Sequence, residues 1–268
     1  MLRSMQDLKD YTIAATDGDI GEVIDFYFDN EVWVIRYFIV ETGAWLASRK
    51  VMITPSSIQS TDWAQRRLHV AITKEQVKNS PDIDTDKPVS RQHEMQYLGY
   101  YGYPYYWGGA SMWNAGIYPG GFGLPGGPVQ EEHASQISAK AERARHEDDD
   151  PHLRSCKAII GYHIKATDGE VGHVESLLID EETWAIQYLV VSTSNWWFGR
   201  KVLIAPEWIN EIRWLDKSVS VDLERASIKA SPPYDSSQQL NRERESNLYN
   251  HYGRNGYWLI ETVIGQEK

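Results

Sequence analysis

The chain contains one nine-residue phrase twice, as ATDGDIGEV from Ala15 and as ATDGEVGHV from Ala166. The copies are 151 positions apart, since 15 plus 151 is 166, and the register continues without a gap to Trp107 and Trp258. A match that persists this far indicates an internal duplication. Its period is too long for solenoid or propeller repeats, which recur every ~20–50 residues.

The residues shared between the copies include large aromatic and charged side chains. Pairs at the same offset are Trp33 and Trp184, Tyr37 and Tyr188, Trp45 and Trp196, Arg49 and Arg200, and Glu94 and Glu245. The duplication therefore predicts two similar domains, residues 1–107 and 154–268, joined by a connector over residues 108–153.

The composition argues against some functions and some cellular compartments. A formal charge of −11 over 268 residues disfavours binding to nucleic-acid phosphates, which normally requires a basic face. The single cysteine, Cys156, cannot form an intramolecular disulfide, which suits a reducing compartment. The opening MLRSMQDLKD lacks the apolar run of a secretory signal, and no apolar stretch approaches the about 20 residues of a membrane span. We therefore expect a cytoplasmic protein without a membrane span.

Each repeat has the pattern of a series of short strands. β-Branched and aromatic residues dominate WVIRYFIV from Trp33 and WAIQYLVV from Trp184, as strands prefer. The other strands predicted for the first copy cover residues 11–15, 21–28, 50–53 and 67–70. We expect Gly18 to supply a positive φ at the Asp-Gly turn and Gly21 to mark a bulge.

Strand periodicity places Trp33, Ile35, Tyr37 and Ile39 on one face, and the opposite face is also largely apolar, so we expect both faces to be covered. Many short strands with tight turns favour a small closed barrel, because closure removes exposed edges. A capping box at Thr73 predicts a short helix. Further short helices are predicted over residues 90–101 and 241–252, each leading into an aromatic hook (residues 101–107 and 252–258). The predicted fold class is mainly β, with two small barrels, short helices after each and a Gly/aromatic-rich connector.

In each copy the order of ATDGxxGxV, an acidic turn, a W-I-Y-V strand and W…RKVxIxP resembles the PRC-barrel domain. The resemblance covers residues 8–80 and 159–231, over half of the chain. This family includes the cytoplasmic part of the photosynthetic reaction centre H subunit and the C-terminal domain of the bacterial ribosome-maturation factor. The resemblance implies a bacterial-type β-barrel used for protein contacts and complex assembly, without an enzymatic site. The sequence shows neither the membrane helix of the first relative nor the separate N-terminal domain of the second, so neither photosynthesis nor ribosome assembly transfers to it.

GFGLPG from Gly121 matches the G-x-G-x-x-G pattern of dinucleotide sites. Such a site needs a strand before it and a helix after it, whereas Pro119 and Pro128 flank this run. We interpret it as turn or coil and predict no cofactor.

Two further groups contain residues that can carry chemistry. HEDDDPH, residues 146–152, offers carboxylate and imidazole ligands for a divalent cation, but a contiguous acidic run is more typical of a solvated linker. Cys156 lies beside Lys157, yet no histidine cluster accompanies it as a nucleophile would require. We therefore predict no metal site and no catalytic residue.

The stronger signal is aromatic. AWLASRKV from Ala44 and NWWFGRKV from Asn195 place tryptophan in a loop before two cations, a combination typical of protein-contact hot spots. Trp45 and Trp196 can instead cap their barrels or meet the other repeat, which leaves Trp197 and Phe198 for an external partner. The candidate contact residues are Trp45, Arg49, Trp107, Trp196, Trp197, Phe198, Arg200 and Trp258.

We predict a non-enzymatic protein-binding or complex-assembly module whose partner is another protein. The two repeats are expected to pack on each other about a pseudo-twofold axis, as a fused homodimer would, and a homo-oligomer is compatible with this reading. Two alternatives stay open. One is a regulatory protein that holds a small apolar ligand or a metal between the barrels, and the other is an accessory enzyme with a site at the repeat interface.

Overall fold

A computed structural model describes residues 1–81, 89, 91–104, 106, 153–193 and 200–258. Within this part of the chain, fourteen strands form two seven-stranded sheets, which confirms the mainly β class. No described helix is long and apolar enough to cross a membrane. The chain divides into two compact units, and each is discontinuous in sequence. The first-repeat unit comprises Gln6–Ala158 and Asp180–Ala185, and the second-repeat unit comprises Met1–Met5, Ile159–Ile179 and Ile186–Lys268.

The first-repeat unit contains one sheet. Its strands are β2 (Thr12–Ala15), β3 (Gly18–Asp29), β4 (Val34–Glu41), β5 (Lys50–Ile53), β6 (Ile58–Asp62), β7 (Arg67–Val70) and β8 (Leu153–Ser155). Their order is β5-β4-β3-β2-β7-β6, and β8 pairs with β3 beside this path. The pairing is antiparallel throughout except between β2 and β7, which run parallel.

The second-repeat unit contains a sheet of the same order. Its strands are β1 (Leu2–Ser4), β9 (His163–Ala166), β10 (Gly169–Asp180), β11 (Ile186–Ser192), β12 (Lys201–Ile204), β13 (Ile209–Arg213) and β14 (Ser218–Val221). The order is β12-β11-β10-β9-β14-β13, and β1 pairs with β10. Every strand has bounds 151 positions from those of its counterpart, except that β11 begins one residue later than β4 would place it.

The helices are short and lie between strands or after them. They are α1 (Met5–Leu8), α2 (Lys74–Lys78), α3 (Arg91–Tyr101), α4 (Cys156–Ile159), α5 (Arg225–Ala230) and α6 (Arg242–His251). The capping box at Thr73 is confirmed, because its side chain accepts the Gln76 N–H while the Gln76 side chain accepts the Thr73 N–H. α3 and α6 occupy the two positions predicted for helices before the aromatic hooks.

Each sheet receives one strand from the segment that precedes the other repeat. β1 and β8 are both Leu-Arg-Ser, at equivalent positions of the duplication. β1 precedes the first repeat but pairs with β10, and β8 precedes the second repeat but pairs with β3. These segments, arm 1 (residues 2–5) and arm 2 (residues 153–158), are therefore exchanged. The exchange accounts for the placement of residues 1–5 and 153–158 in these units, and Asp180–Ala185 of the second acidic turn also belong to the first-repeat unit. Neither arm was predicted as a strand.

The repeated phrase forms a turn that holds neighbouring elements in place. The N–H of Thr16 donates to the Ile72 carbonyl oxygen at 3.0 Å, and Asp17 Oδ1 accepts the Lys74 N–H at 2.8 Å, where α2 begins. In the second unit the corresponding contacts are Thr167 with the Leu223 carbonyl and Asp168 with the Arg225 N–H. In both copies the threonine and the first acidic residue of the phrase bind backbone groups at equivalent positions.

Both glycines of the phrase answer a backbone requirement. Gly18 has the expected positive φ, 134°. The β2–β3 ladder shifts register at Ile20, so the bulge lies one residue before its predicted position. Gly21 is required because a Cβ there would lie 1.9 Å from the Glu41 carbonyl oxygen. A Cβ at Gly172 would likewise lie 2.0 Å from the Ser192 carbonyl oxygen.

The prediction that Trp33 belongs to the central strand and shares a face with Tyr37 was wrong. β4 begins at Val34, and Trp33 has a left-handed φ of 56°. The Trp33 N–H donates to the Asp29 carbonyl at 2.8 Å, which closes the acidic turn and ends it in this conformation. A strand pattern cannot show that a tryptophan belongs to the preceding turn.

The second acidic turn closes in the same way, with the Trp184 N–H on the Asp180 carbonyl at 2.9 Å and a φ of 59° at Trp184. The environments of the two tryptophans differ. Trp184 is buried with its ring centroid 4.8 Å from that of Phe38, whereas Trp33 is half-buried.

Both faces of β4 are covered, as predicted. The buried residues are Val34, Ile35, Tyr37, Phe38, Ile39 and Val40. One face joins a core cluster that includes Met52 of β5, Tyr97 and Leu98 of α3, and Leu153 of arm 2. The helix and the exchanged arm therefore complete the same core.

The described residues do not form closed barrels. The ladder of the first sheet runs from β5 to β6, and that of the second from β12 to β13. The end strands are joined by 3-10 turns, Pro55–Ser57 and Pro206–Trp208, and not by strand pairing. Proline supplies no N–H for a ladder, which favours a turn at these corners.

We expect Gly21→Ala to lower the free energy of unfolding by about 2–3 kcal/mol, because the added methyl group would meet the Glu41 carbonyl oxygen in a packed region. Urea unfolding followed by tryptophan fluorescence measures the loss. Gly43→Ala is the matched control, since a Cβ at Gly43 meets nothing within 4 Å. Equal stability of the two variants would show that the close approach is not required.

Candidate protein-contact site

The loops predicted to contact a partner are closed at their base by a threonine. In the first-repeat unit the N–H of Thr42 donates to the Arg49 carbonyl at 2.9 Å, and its Oγ1 donates to the same oxygen at 2.8 Å. In the second-repeat unit Thr193 makes both bonds to the Arg200 carbonyl, at 2.9 and 3.0 Å. Both threonines are buried, so these hydrogen bonds hold the two ends of each loop together at the edge of its sheet.

Trp45 packs against its own unit. The residues from Ala44 to Leu46 form a 3-10 turn, and Trp45 Nε1 donates to the Ile20 carbonyl at 2.6 Å. The Lys74 Nζ lies 4.3 Å from the centroid of its half-buried ring. These contacts correspond to the capping role that the sequence analysis left open for this residue.

Arg49 serves the end of α2. Its two terminal nitrogens donate to the carbonyls of Lys78 and Ser80, at 2.9 and 2.6 Å. The Lys78 carbonyl belongs to the last turn of α2 and that of Ser80 comes just after it, at the helix end where a cation also complements the helix dipole. Trp45 and Arg49 thus both contact α2, at Lys74 and at Lys78, and both are engaged with their own unit.

The candidates of the second loop are divided between described and undescribed parts of the chain. Trp196, Trp197 and Phe198 lie outside the described residues. Arg200 is exposed, and its backbone N–H donates to Thr193 Oγ1 at 3.2 Å. The sheet therefore holds the end of this loop at Arg200 by the backbone and leaves the guanidinium at the surface.

Of the two hook tryptophans, Trp107 lies outside the described residues and Trp258 is half-buried. The Trp258 ring centroid lies 5.1 Å from that of Tyr249 in α6. The guanidinium carbon of Arg242 lies 4.4 Å from the Trp258 centroid, a cation–π distance. The described hook therefore packs along the helix that precedes it.

A buried carboxylate anchors this hook and its helix. Glu245 is 4% exposed, and its Oε1 accepts the hydroxyls of Tyr188 and Tyr257, each at 2.9 Å. Its Oε2 lies 3.0 Å from Arg242 Nη1. Strand β11, helix α6 and the hook thus meet at one acid.

The first-repeat unit repeats this arrangement. Glu94 is fully buried, and its Oε1 accepts the hydroxyls of Tyr37 at 3.0 Å and Tyr106 at 2.5 Å. The guanidinium of Arg36 lies 3.9 Å from the Tyr106 ring centroid. In the sequence, Glu94 and Glu245 are distinguished only as a matching pair. The available signal was an acid recurring at one offset together with two tyrosines.

The tyrosines remain donors in this environment. Burial, followed by the nearby Glu94 charge, raises the pKa of Tyr37 well above its ordinary value. Burial likewise raises the pKa of Tyr188, with further contributions from Tyr249 and Glu245. A phenol is protonated at neutral pH even at its ordinary pKa, and the raised pKa reinforces this, so both hydroxyls donate to their acids.

Arm 2 is held by another buried carboxylate. Asp25 Oδ2 accepts the Ser155 hydroxyl at 2.5 Å, and its Oδ1 accepts the Lys157 N–H at 3.2 Å. Burial is the largest influence on this group and raises its pKa above 3.8, although the hydrogen bonds oppose the rise. The corresponding contact in the other unit joins the hydroxyls of Ser4 and Ser176 at 2.9 Å.

The described residues contain no group of three or more His, Cys, Asp or Glu side chains that could hold a metal ion. Cys156 is buried, and burial raises the pKa of its thiol well above the usual value. A protonated, buried thiol is a poor nucleophile. The HEDDDPH run at residues 146–152 and the GFGLPG run from Gly121 lie outside the described residues.

We expect Tyr188→Phe to lower the free energy of unfolding by about 1–3 kcal/mol, because buried Glu245 loses one of its donors. Tyr100→Phe is the control, because Tyr100 is 41% exposed and water can replace the bond that its hydroxyl donates to the Gln76 carbonyl, so its loss should cost less than about 0.5 kcal/mol. Thermal and urea unfolding measure both. A Tyr188→Phe chain as stable as the control would mean that the carboxylate does not need this hydroxyl.

The raised pKa of Asp25 predicts a pH dependence. The folded-state value exceeds the unfolded one, so the group stabilises the fold fully below 3.8 and loses this contribution as the pH rises through the folded-state value. The unfolding free energy of the wild type minus that of Asp25→Asn should therefore decrease from about pH 4 to pH 7. Urea unfolding at both pH values tests this, and an increase would contradict it.

Comparison with protein-family models and with curated protein sequences finds no match to this chain. The resemblance to the PRC-barrel domain therefore stays an interpretation of its residues. What the described structure adds is the mainly β fold, the exchanged arms and a buried acid beneath each hook.

Proposed function

We propose that the chain is a non-enzymatic assembly module built from two PRC-type repeats. The observation that supports this most is that polar residues common to both repeats form hydrogen bonds within the fold. Asp17 and Thr42 bind backbone groups, and Glu94 binds two tyrosines, as do their counterparts in the second unit. A catalytic group has to meet a substrate, whereas these groups hold the fold.

The duplication is supported by the strand bounds, which recur 151 positions apart in two sheets of identical order. A fold maintained twice in one chain suits a protein that bridges partners, because each copy can present a different surface on the same frame. Packing of the two repeats on each other remains a prediction from the sequence.

The contact surface we propose is the loop of the second repeat between Thr193 and Arg200. In the first repeat, the Trp45 indole donates a hydrogen bond to the Ile20 carbonyl. The two residues that follow are the half-buried Leu46 and the exposed Ala47, which has a φ of 52°. The positions equivalent to Leu46 and Ala47 are Trp197 and Phe198. Two large aromatics in place of these residues are the chemistry of a binding hot spot.

The test compares partner capture by the immobilised full chain and by Trp197→Ala/Phe198→Ala. A protein retained by the wild type and lost by the variant is then purified, and its affinity is measured by calorimetry. We expect at least about thirtyfold weaker binding, which corresponds to about 2 kcal/mol for a hot spot.

The control variant is Leu215→Ala, which removes a fully exposed leucine of the β13–β14 turn. It should bind the purified partner as the wild type does. Equal binding by the loop variant and this control would reject the proposed surface, and turnover of a small-molecule substrate by the chain would reject the non-enzymatic function.

A further inference from the structure

The exchanged arms occupy an edge that the long strands leave open. β3 spans twelve residues, but β2 pairs only with its first part, from Gly18 to Glu22. β4 covers the opposite edge from Glu22 to Asp29, so β8 adds at Tyr27–Asp29 on the side that β2 has left. An extended segment that completes a sheet edge in this way is the geometry of strand addition.

Side-chain contacts at the edge favour the sequence of the arm. In the first-repeat unit Leu153 is fully buried in the core cluster, and Ser155 is bound through its hydroxyl by Asp25. In the second-repeat unit the serine of arm 1, Ser4, meets Ser176 at the position equivalent to Asp25. Both edges therefore take a Leu-Arg-Ser strand and recognise its serine.

The two arms differ in how deeply they are placed. Leu153 of arm 2 is buried, whereas its counterpart Leu2 of arm 1 is only half-buried; Cys156 and its counterpart Met5 are both buried. The backbone that follows α1 also differs from that which follows α4. Asp10 has a left-handed φ of 62° where the second repeat has Gly161 at 86°, and a side chain disfavours this conformation. Arm 1 is therefore the one that can leave its edge more readily.

We propose that β10 also accepts arm 1 from a second copy of this chain, so that the molecule assembles by exchanging this arm between copies. The bonds lost when the arm leaves its own sheet are the bonds formed in the other copy, which is why such exchange costs little beyond association. The site goes beyond the partner contact proposed for the Thr193–Arg200 loop, because its ligand is the chain's own Leu-Arg-Ser segment.

The serine contact supplies the test. Ser4 Oγ and Ser176 Oγ are 2.9 Å apart, so Ser4→Cys/Ser176→Cys should form a disulfide wherever arm 1 binds β10. Two preparations carrying different affinity tags are mixed reduced, incubated at rising concentration and then oxidised. A disulfide within one chain reports the arm in its own sheet, and a disulfide joining both tags reports exchange.

We expect the doubly tagged, cross-linked dimer to rise about tenfold in its ratio to cross-linked monomer for a tenfold rise in concentration, while dimer is the minor species. The single variants Ser4→Cys and Ser176→Cys control for disulfides between unpaired cysteines. Only intrachain disulfide at every concentration would overturn the proposal, and so would the absence of any disulfide between these positions.

A measurement on the unmodified chain guards against misfolding of the cysteine variant. Native mass spectrometry of mixed light and ¹⁵N-labelled protein should show mixed dimers that increase with concentration. Absence of mixed dimers up to about 1 mM, the range of intramolecular effective concentrations, would overturn the proposal. Mixed dimers in the wild type with only intrachain disulfide in the variant would place the interface elsewhere. Both experiments use the purified chain alone. A negative result would therefore not bear on the partner contact proposed for the Thr193–Arg200 loop, which the capture experiment tests separately.

Discussion

Each sheet depends on a long strand with a bulge near its start. Gly21 lets the backbone approach the Glu41 carbonyl more closely than any side chain would allow, and the bulge lies just before it. β2 pairs with β3 only up to Glu22, and the edge beyond is left for another strand. The exchanged arm fills that edge and brings Leu153 into the hydrophobic cluster that also contains Tyr97 and Leu98 of α3.

The second organising feature is a buried acid between helix and sheet. A buried carboxylate is costly unless it is hydrogen-bonded, and Glu94 and Glu245 each accept two tyrosine hydroxyls. Such a group favours one position of the helix, because sliding the helix would leave the charge without its donors. The residues around the acid are less well preserved between the two repeats. Tyr97 in α3 bonds the Met52 carbonyl at 2.7 Å, whereas the second unit has Leu248 at that position.

Much of the fold could be predicted from the sequence where the signal is local. Runs of β-branched and aromatic residues located most strands, and the glycines of the repeated phrase indicated a positive φ and an irregular strand. Non-local features escaped this reasoning. Leu-Arg-Ser is too short to show a pattern, so neither arm was predicted, and an open ladder replaced the expected closed barrel. Trp33 was assigned to a strand because a pattern cannot show a turn that a backbone bond to Asp29 closes.

The candidate contact site was predictable only as a set of residue types. Aromatic side chains beside arginine marked both loops, but the sequence could not show that Trp45 would bond to Ile20 or that Arg49 would serve the end of α2. The buried acids were overlooked for the opposite reason. A single glutamate in a polar helix, such as Glu245, carries no sign of burial until its two tyrosines are known to converge on it.

The exchange of arms also sets an order for folding during synthesis. The ribosome completes residues 6–106 well before arm 2, because 153 minus 106 leaves 47 positions still to be translated. At about 5–20 residues per second this is a delay of roughly 2–9 s, in which β3 has an unfilled edge and its core lacks Leu153. An exposed edge of this kind is a substrate for chaperones and a risk between neighbouring nascent chains on one messenger RNA. Dividing the gene between the repeats would therefore remove a strand from each product.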